Sequence, residues 1–165
     1  MKTERRQFPL RIPFVEQLGF ELWGFGEGQA ELRLDLADTH LNSWDVAHGG
    51  VLMTLLDVAM AHAARSTNVN ADATATDRGP GMATIEMKTS FLRAAEGRLR
   101  AVGRVLHKTT TLAFCEASVF NEAGQLCAHA TGTFKFLRAL PTTGHQAKPL
   151  QHAAPAAPDK PGDRP

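Results

Sequence analysis

The chain has 165 residues, 43% hydrophobic and 21% charged, with a formal net charge of +1. That length suits a single domain whose core needs neither disulfide nor metal, and the composition is too polar for a membrane protein. Intermixed acids and bases argue against a nucleic-acid surface, and Glu4, Arg11 and Glu16 interrupt any apolar leader, so a cytoplasmic protein is expected.

Residues 13–18 read as a short helical turn, followed by residues 20–23 as part of a first hairpin. Ala30, Leu32, Leu34 and Leu36 alternate with Glu31, Arg33 and Asp35, the period of a half-buried strand. Residues 51–66, VLMTLLDVAMAHAARS, contain no Gly or Pro and predict the one long helix. Residues 67–81 read as a long loop of the kind often used for function. Four segments at about 82–92, 98–107, 110–120 and 125–137 are rich in Val, Ile, Thr and Phe and predict strands. AAEG and NEAGQ read as turns between them, and connections that short predict antiparallel neighbours. Cys115 and Cys127 lie inside these strands and are expected as core thiols. From Pro141 the chain turns Pro- and Ala-rich without period, so a domain over 1–140 and a disordered or extended tail over 141–165 are expected. Sixteen helical residues span roughly 24 Å and strands of about ten residues roughly 33 Å, so one curved antiparallel sheet is long enough to wrap one helix. The expected fold class is α+β.

Asp57 stands in mid-helix among Leu, Val and Met, where an ionised carboxylate is expensive unless paired or solvated. Gly50, Thr54, Ala61 and Ala64 cluster on its side of the helical wheel and admit another backbone or a slim ligand, and Met53 and Met60 flank it. His48-Gly49-Gly50 opens the helix, and the first amides of a helix have no partner within it, so they can polarise a carbonyl. Asn42 lies six residues before His48, where an Asn is ordinarily a turn residue. A polar amide, a donor-rich turn and a carboxylate in that order describe a hydrolytic site. His62 falls on the far side of the wheel from Asp57, and no metal-ligand spacing appears, so no metal is expected. No Ser sits in a GxSxG elbow.

Asn42, His48-Gly49-Gly50 and Asp57, separated by six and nine residues, resemble the hotdog-fold acyl-CoA thioesterases, in the branch that contains the phenylacetic acid degradation thioesterase. Residues 83–93 resemble that family's second strand, and the stretch Thr111-Leu112-Ala113-Phe114 with residues 128–136 resembles its last two, so the resemblance covers about residues 14–138. It implies a hotdog fold and hydrolysis of an acyl-CoA, with coenzyme A as part of the substrate and no separate cofactor. The thioester carbonyl would meet the N–H of Gly49 or Gly50, and Asp57 would act either as general base on water or as nucleophile. Asn42 would bind the water or orient the carboxylate, His48 would contact the thioester region and help fix the turn, and Thr84 would support Asp57. Met53 and Thr54 are candidates for the substrate channel, and Arg93, Lys108 and Arg138 for the CoA phosphates. The chain departs from the family at Thr109-Thr110, where relatives often carry Gly and a basic residue. The resemblance further implies a homodimer with shared active sites, pairing into a homotetramer. Two alternatives stand beside it: a hotdog hydratase or dehydratase with His48 as base, and a non-catalytic acyl-CoA-binding regulator.

Overall fold

The computed structural model describes residues 4–69 and 80–137. A short helix α1 (Pro13–Gln17) precedes β1 (Glu21–Gly26) and β2 (Gln29–Asp35), and a 3-10 turn (Asp38–His40) leads to the long helix α2 (Gly49–Ser66). Four strands follow: β3 (Gly81–Phe91), β4 (Arg98–Lys108), β5 (Leu112–Phe120) and β6 (Leu126–Leu137). They form one antiparallel six-stranded sheet in the order β1-β2-β4-β5-β6-β3, curved around α2. This is the hotdog arrangement. The expected tail over 141–165, Arg138 and most of the 67–81 loop lie outside the described residues.

The alternation read in residues 30–36 puts Leu32 and Leu34 of β2 in the core, where Leu99 and Ala101 of β4, Val119 of β5 and Phe134 of β6 join them. From the helix, Leu55, Leu56, Ala59, Met60, Ala63 and Ala64 are fully buried. Met60 and Ala64, grouped with Asp57 on the helical wheel, therefore belong to the packed side. Helix and sheet approach closely at Gly103, where a Cβ would collide with the Ala59 carbonyl. Both cysteines are buried and free, and burial pushes the Cys115 thiol up to about 12.

One expectation is corrected. The AAEG segment does not join neighbouring strands: β3 pairs with β6 at the sheet edge, while β4 lies three places away beside β2. Residues 92–97 instead cross the end of the sheet, with Leu92 and Arg93 N–H both donating to the Cys127 carbonyl and Leu36 N–H to that of Gly97. Six extended residues span up to about 20 Å, enough to pass strands spaced about 4.8 Å apart. A short connection limits distance; it does not oblige adjacency.

The two edges of the sheet differ. Along β1, Glu4 N–H donates to the Trp23 carbonyl at 2.8 Å and Arg6 N–H to the Leu22 carbonyl at 2.7 Å, so the N-terminal segment covers that edge. Along β3 no described strand pairs on the outer side.

Candidate active site

The loop entering α2 is a tight, self-bonded turn. Asn42 Oδ1 accepts from Trp44 N–H at 2.8 Å, Asn42 N–H donates to the Val46 carbonyl at 2.9 Å, and Leu41 bridges to Ala47. Asp45 takes a left-handed conformation (φ 59°) at the tip, which Asp tolerates better than most residues. Asn42 thereby keeps its amide oxygen in the turn, while its NH2 has no acceptor among the described residues.

His48 is the N-cap of α2. Its Nδ1 accepts from Gly50 N–H at 3.0 Å, which puts the ring proton of the neutral imidazole on Nε2. The Gly50 amide is thus occupied, and the Gly49 N–H, with no acceptor among the described residues, is the helix-start donor open to a ligand. The Phe91 ring lies against this glycine, its Cζ and Cε1 at 3.4 and 3.5 Å from where a Gly49 Cβ would stand.

Two turns further along the helix, Asp57 Oδ1 accepts a 2.7 Å hydrogen bond from Thr84 Oγ1 of β3. Burial raises the Asp57 pKa above the ordinary carboxylate value, and the Thr84 hydrogen bond offsets part of that rise. Thr84 reaches the carboxylate because β3 carries a bulge: Thr84 pairs with Phe134 and Glu86 with Thr133, which leaves Ile85 unopposed. Phe134 is core, so Thr84 faces the helix; the extra residue then turns Glu86 outward and brings Met87 back in. Thr89 and Phe91, opposite buried Ala130 and Ala128, continue this inward row, and the Thr89 hydroxyl is buried without a hydrogen-bond partner among the described residues.

The other sequence candidates fall as follows. Met53 is 40% exposed on the open side of α2, and Thr54 Oγ1 donates to the Gly50 carbonyl at 2.9 Å. Arg93 donates to the Leu126 carbonyl at 2.8 Å, beyond the Phe91 end of β3. Lys108 Nζ donates to the Thr67 carbonyl at 3.1 Å, at the opposite end of α2 from Gly49. His62 is a satisfied core residue: Nδ1 is 2.8 Å from the Val58 carbonyl, Phe8 and Phe25 meet its ring edge-on, and burial lowers its pKa to about 4. Among the described residues no cluster of three His, Cys, Asp or Glu side chains is placed to hold a metal.

Within one chain the two chemical ends of the site are apart. Asp57 is eight residues after Gly49, and at 1.5 Å per residue that is about 12 Å along the axis. A donor on a carbonyl oxygen and a carboxylate acting on its carbon must both lie within a few ångströms of that carbonyl.

The model of the thioesterase superfamily matches residues 45–128, which include His48-Gly49-Gly50, all of α2 and strands β3 to β5. The chain belongs to the thioesterase superfamily. Among solved structures, the conserved protein PA5202 of Pseudomonas aeruginosa is 33% identical, with 78% of this chain and 97% of that one covered at a TM-score of 0.67. A variant of the phenylacetic acid degradation protein PaaI from Thermus thermophilus is 27% identical over 76% of this chain and 100% of its own (TM-score 0.65). The PaaI protein of the E. coli phenylacetic acid degradation operon, 22% identical over 77% and 86%, shares the fold at a TM-score of 0.67. These likenesses fit a thioesterase of the hotdog fold. No helix among the described residues is long and apolar enough to cross a membrane.

The sequence did not reveal the Ile85 bulge, the left-handed Asp45 or the seat of Phe91 on Gly49. Each depends on pairing or backbone geometry that residue type leaves open; an Asp in a short polar turn was the one available signal.

Proposed function

We propose that this thioesterase-superfamily protein hydrolyses the thioester of a small aromatic or short- to medium-chain acyl-CoA, giving the free acid and CoA. The observation that carries the reading is Asp57, a carboxylate on the open side of a buried helix, desolvated yet held by Thr84. The thioester oxygen binds the Gly49 N–H, where the helix start favours the negative charge that develops as the carbonyl is attacked. Asp57 either takes a proton from water as the water oxygen bonds to the carbonyl carbon, or bonds to that carbon itself and forms an anhydride that water then opens. In both cases the C–S bond breaks, the thiolate leaves with the electron pair, and a proton returns to sulfur. Asn42 NH2 orients the water or the carboxylate. His48 holds the turn through Nδ1; a hydratase base would need that nitrogen, or a deprotonated Nε2, and the cap bond disfavours both.

The 12 Å between Gly49 and Asp57 supports a site shared by two copies, the turn from one and Asp57 from its partner. The bare β3 edge, with Ile85 56% exposed, is the surface on which a second copy would extend the sheet. Pairing of such dimers gives the proposed tetramer.

The test is release of thiol from an acyl-CoA panel by wild type, Asp57→Asn, Asn42→Ala, and a mixture of the two variants. Each variant alone should be nearly inactive. The refolded mixture should regain roughly a quarter of wild-type activity, as random pairing in an isologous dimer with shared sites requires. Absence of thiol release by wild type, or full activity in Asp57→Asn, overturns the hydrolase reading; absence of recovery in the mixture overturns the shared site.

A further inference from the structure

The structure assigns Phe91 as a specificity-determining residue: its ring forms the wall of the pocket for the acyl group beside the amide that takes the thioester oxygen. This rests on the proposed hydrolysis, with Gly49 N–H as the donor to the carbonyl.

Phe91 is the last residue of β3 and pairs with buried Ala128, so it continues the inward row of the strand and points to the helix side of the sheet. The residue is nevertheless 53% exposed, which an inward aromatic of a closed core would not be. One edge faces the Gly49 side of the turn, Cζ and Cε1 lying 3.4 and 3.5 Å from where a Cβ on that glycine would stand, so the remainder borders the volume next to the Gly49 amide. A carbonyl bound on that amide places one of its two substituents along the ring.

The acyl group is the substituent that matches the wall. The Phe91 ring is an apolar surface, and further along the same row Met87 adds another beyond Thr89, whereas the pantetheine arm carries amides that need polar partners or water. An aromatic ring gains offset-stacked or edge-to-face contact there, which an alkyl chain of equal carbon number does not.

Phenylacetyl-CoA and octanoyl-CoA, together with their N-acetylcysteamine thioesters, serve as probes against wild type, Phe91→Leu and Phe91→Ala. Both variants lose the ring at a half-exposed position, and thermal melting checks that they fold. The aryl-to-alkyl ratio of kcat/KM should fall roughly threefold to tenfold in Phe91→Leu, the worth of one aromatic pair. The ratio of CoA to N-acetylcysteamine thioester should stay fixed. An aryl-to-alkyl ratio within twofold of wild type in both variants overturns the assignment. So does a loss that follows the thiol arm whatever the acyl group. If wild type frees thiol from none of the four probes, the hydrolase reading fails and this assignment with it; an active wild type with unmoved ratios overturns the assignment alone.

Discussion

The two sides of α2 carry polar residues of opposite kinds only five positions apart. On the closed side, His62 is sealed between Phe8 and Phe25, bonded to the Val58 carbonyl and held neutral by burial. On the open side, Asp57 faces β3, meets a single hydroxyl and titrates above its ordinary range. Both are polar groups in an apolar helix, so burial alone does not mark a site. The difference lies in satisfaction: His62 is finished by its own helix and its aromatic neighbours, whereas among the described residues Asp57 retains an unpartnered oxygen and an unpaired strand edge beside it.

The largest expected effect breaks this comparison outright if it fails. Asp57→Asn should lower kcat/KM by roughly a thousandfold, the scale of removing a general base, whereas His62→Leu should stay within about threefold. Equal losses in a thiol-release assay would mean that the open side has no special role.

Next is packing. Gly103→Ala drives a methyl into the Ala59 carbonyl of the helix and should cost about 1–3 kcal/mol in urea unfolding. Gly49→Ala meets only the Phe91 ring at ordinary contact distance and should cost less than about 1 kcal/mol. Similar costs would show that the two sides are packed alike.

Thr84→Val sharpens the role of the strand. Its hydroxyl lowers the Asp57 pKa, so its removal should move the acid limb of the kcat/KM pH profile to higher pH and lower the rate at neutral pH by about tenfold. An acid limb that stays in place would separate Thr84 from the carboxylate.

The smallest effect is on stability. Because the folded-state pKa of Asp57 is raised, its contribution to stability is full below the ordinary carboxylate value of 3.8 and is lost as pH rises through the folded value. Asp57→Asn should therefore melt about 2 °C higher than wild type at neutral pH and lose that advantage in acid, as read by calorimetry.

Much of this was legible from residue order. The Gly- and Pro-free run of residues 51–66 gave α2, and alternation in residues 30–36 together with segments rich in Val, Ile, Thr and Phe gave five of the six strands to within a few residues. The succession Asn42, His48-Gly49-Gly50, Asp57 named the polar groups because each is anomalous or turn-forming within its own segment. Residue type was less informative about cations: Lys108, read as a phosphate candidate, holds the carbonyl of Thr67 at the C-terminal end of α2. Met60 looked equivalent to Met53 on a wheel, yet one is core and the other 40% exposed, because the sheet encloses only part of the helix circumference.

What sequence determined by itself is therefore local: which segments are helix or strand, which face of each is apolar, and which polar groups interrupt them. Tertiary structure decided that β3 lies at the edge beside β6, that a bulge at Ile85 turns Thr84 onto a carboxylate 27 residues away, and that Phe91 closes on Gly49. The physical reason is that a period records burial against some neighbour without naming it. Strand order and register arise from long-range pairing, and a one-residue shift in register reverses the face every following side chain presents.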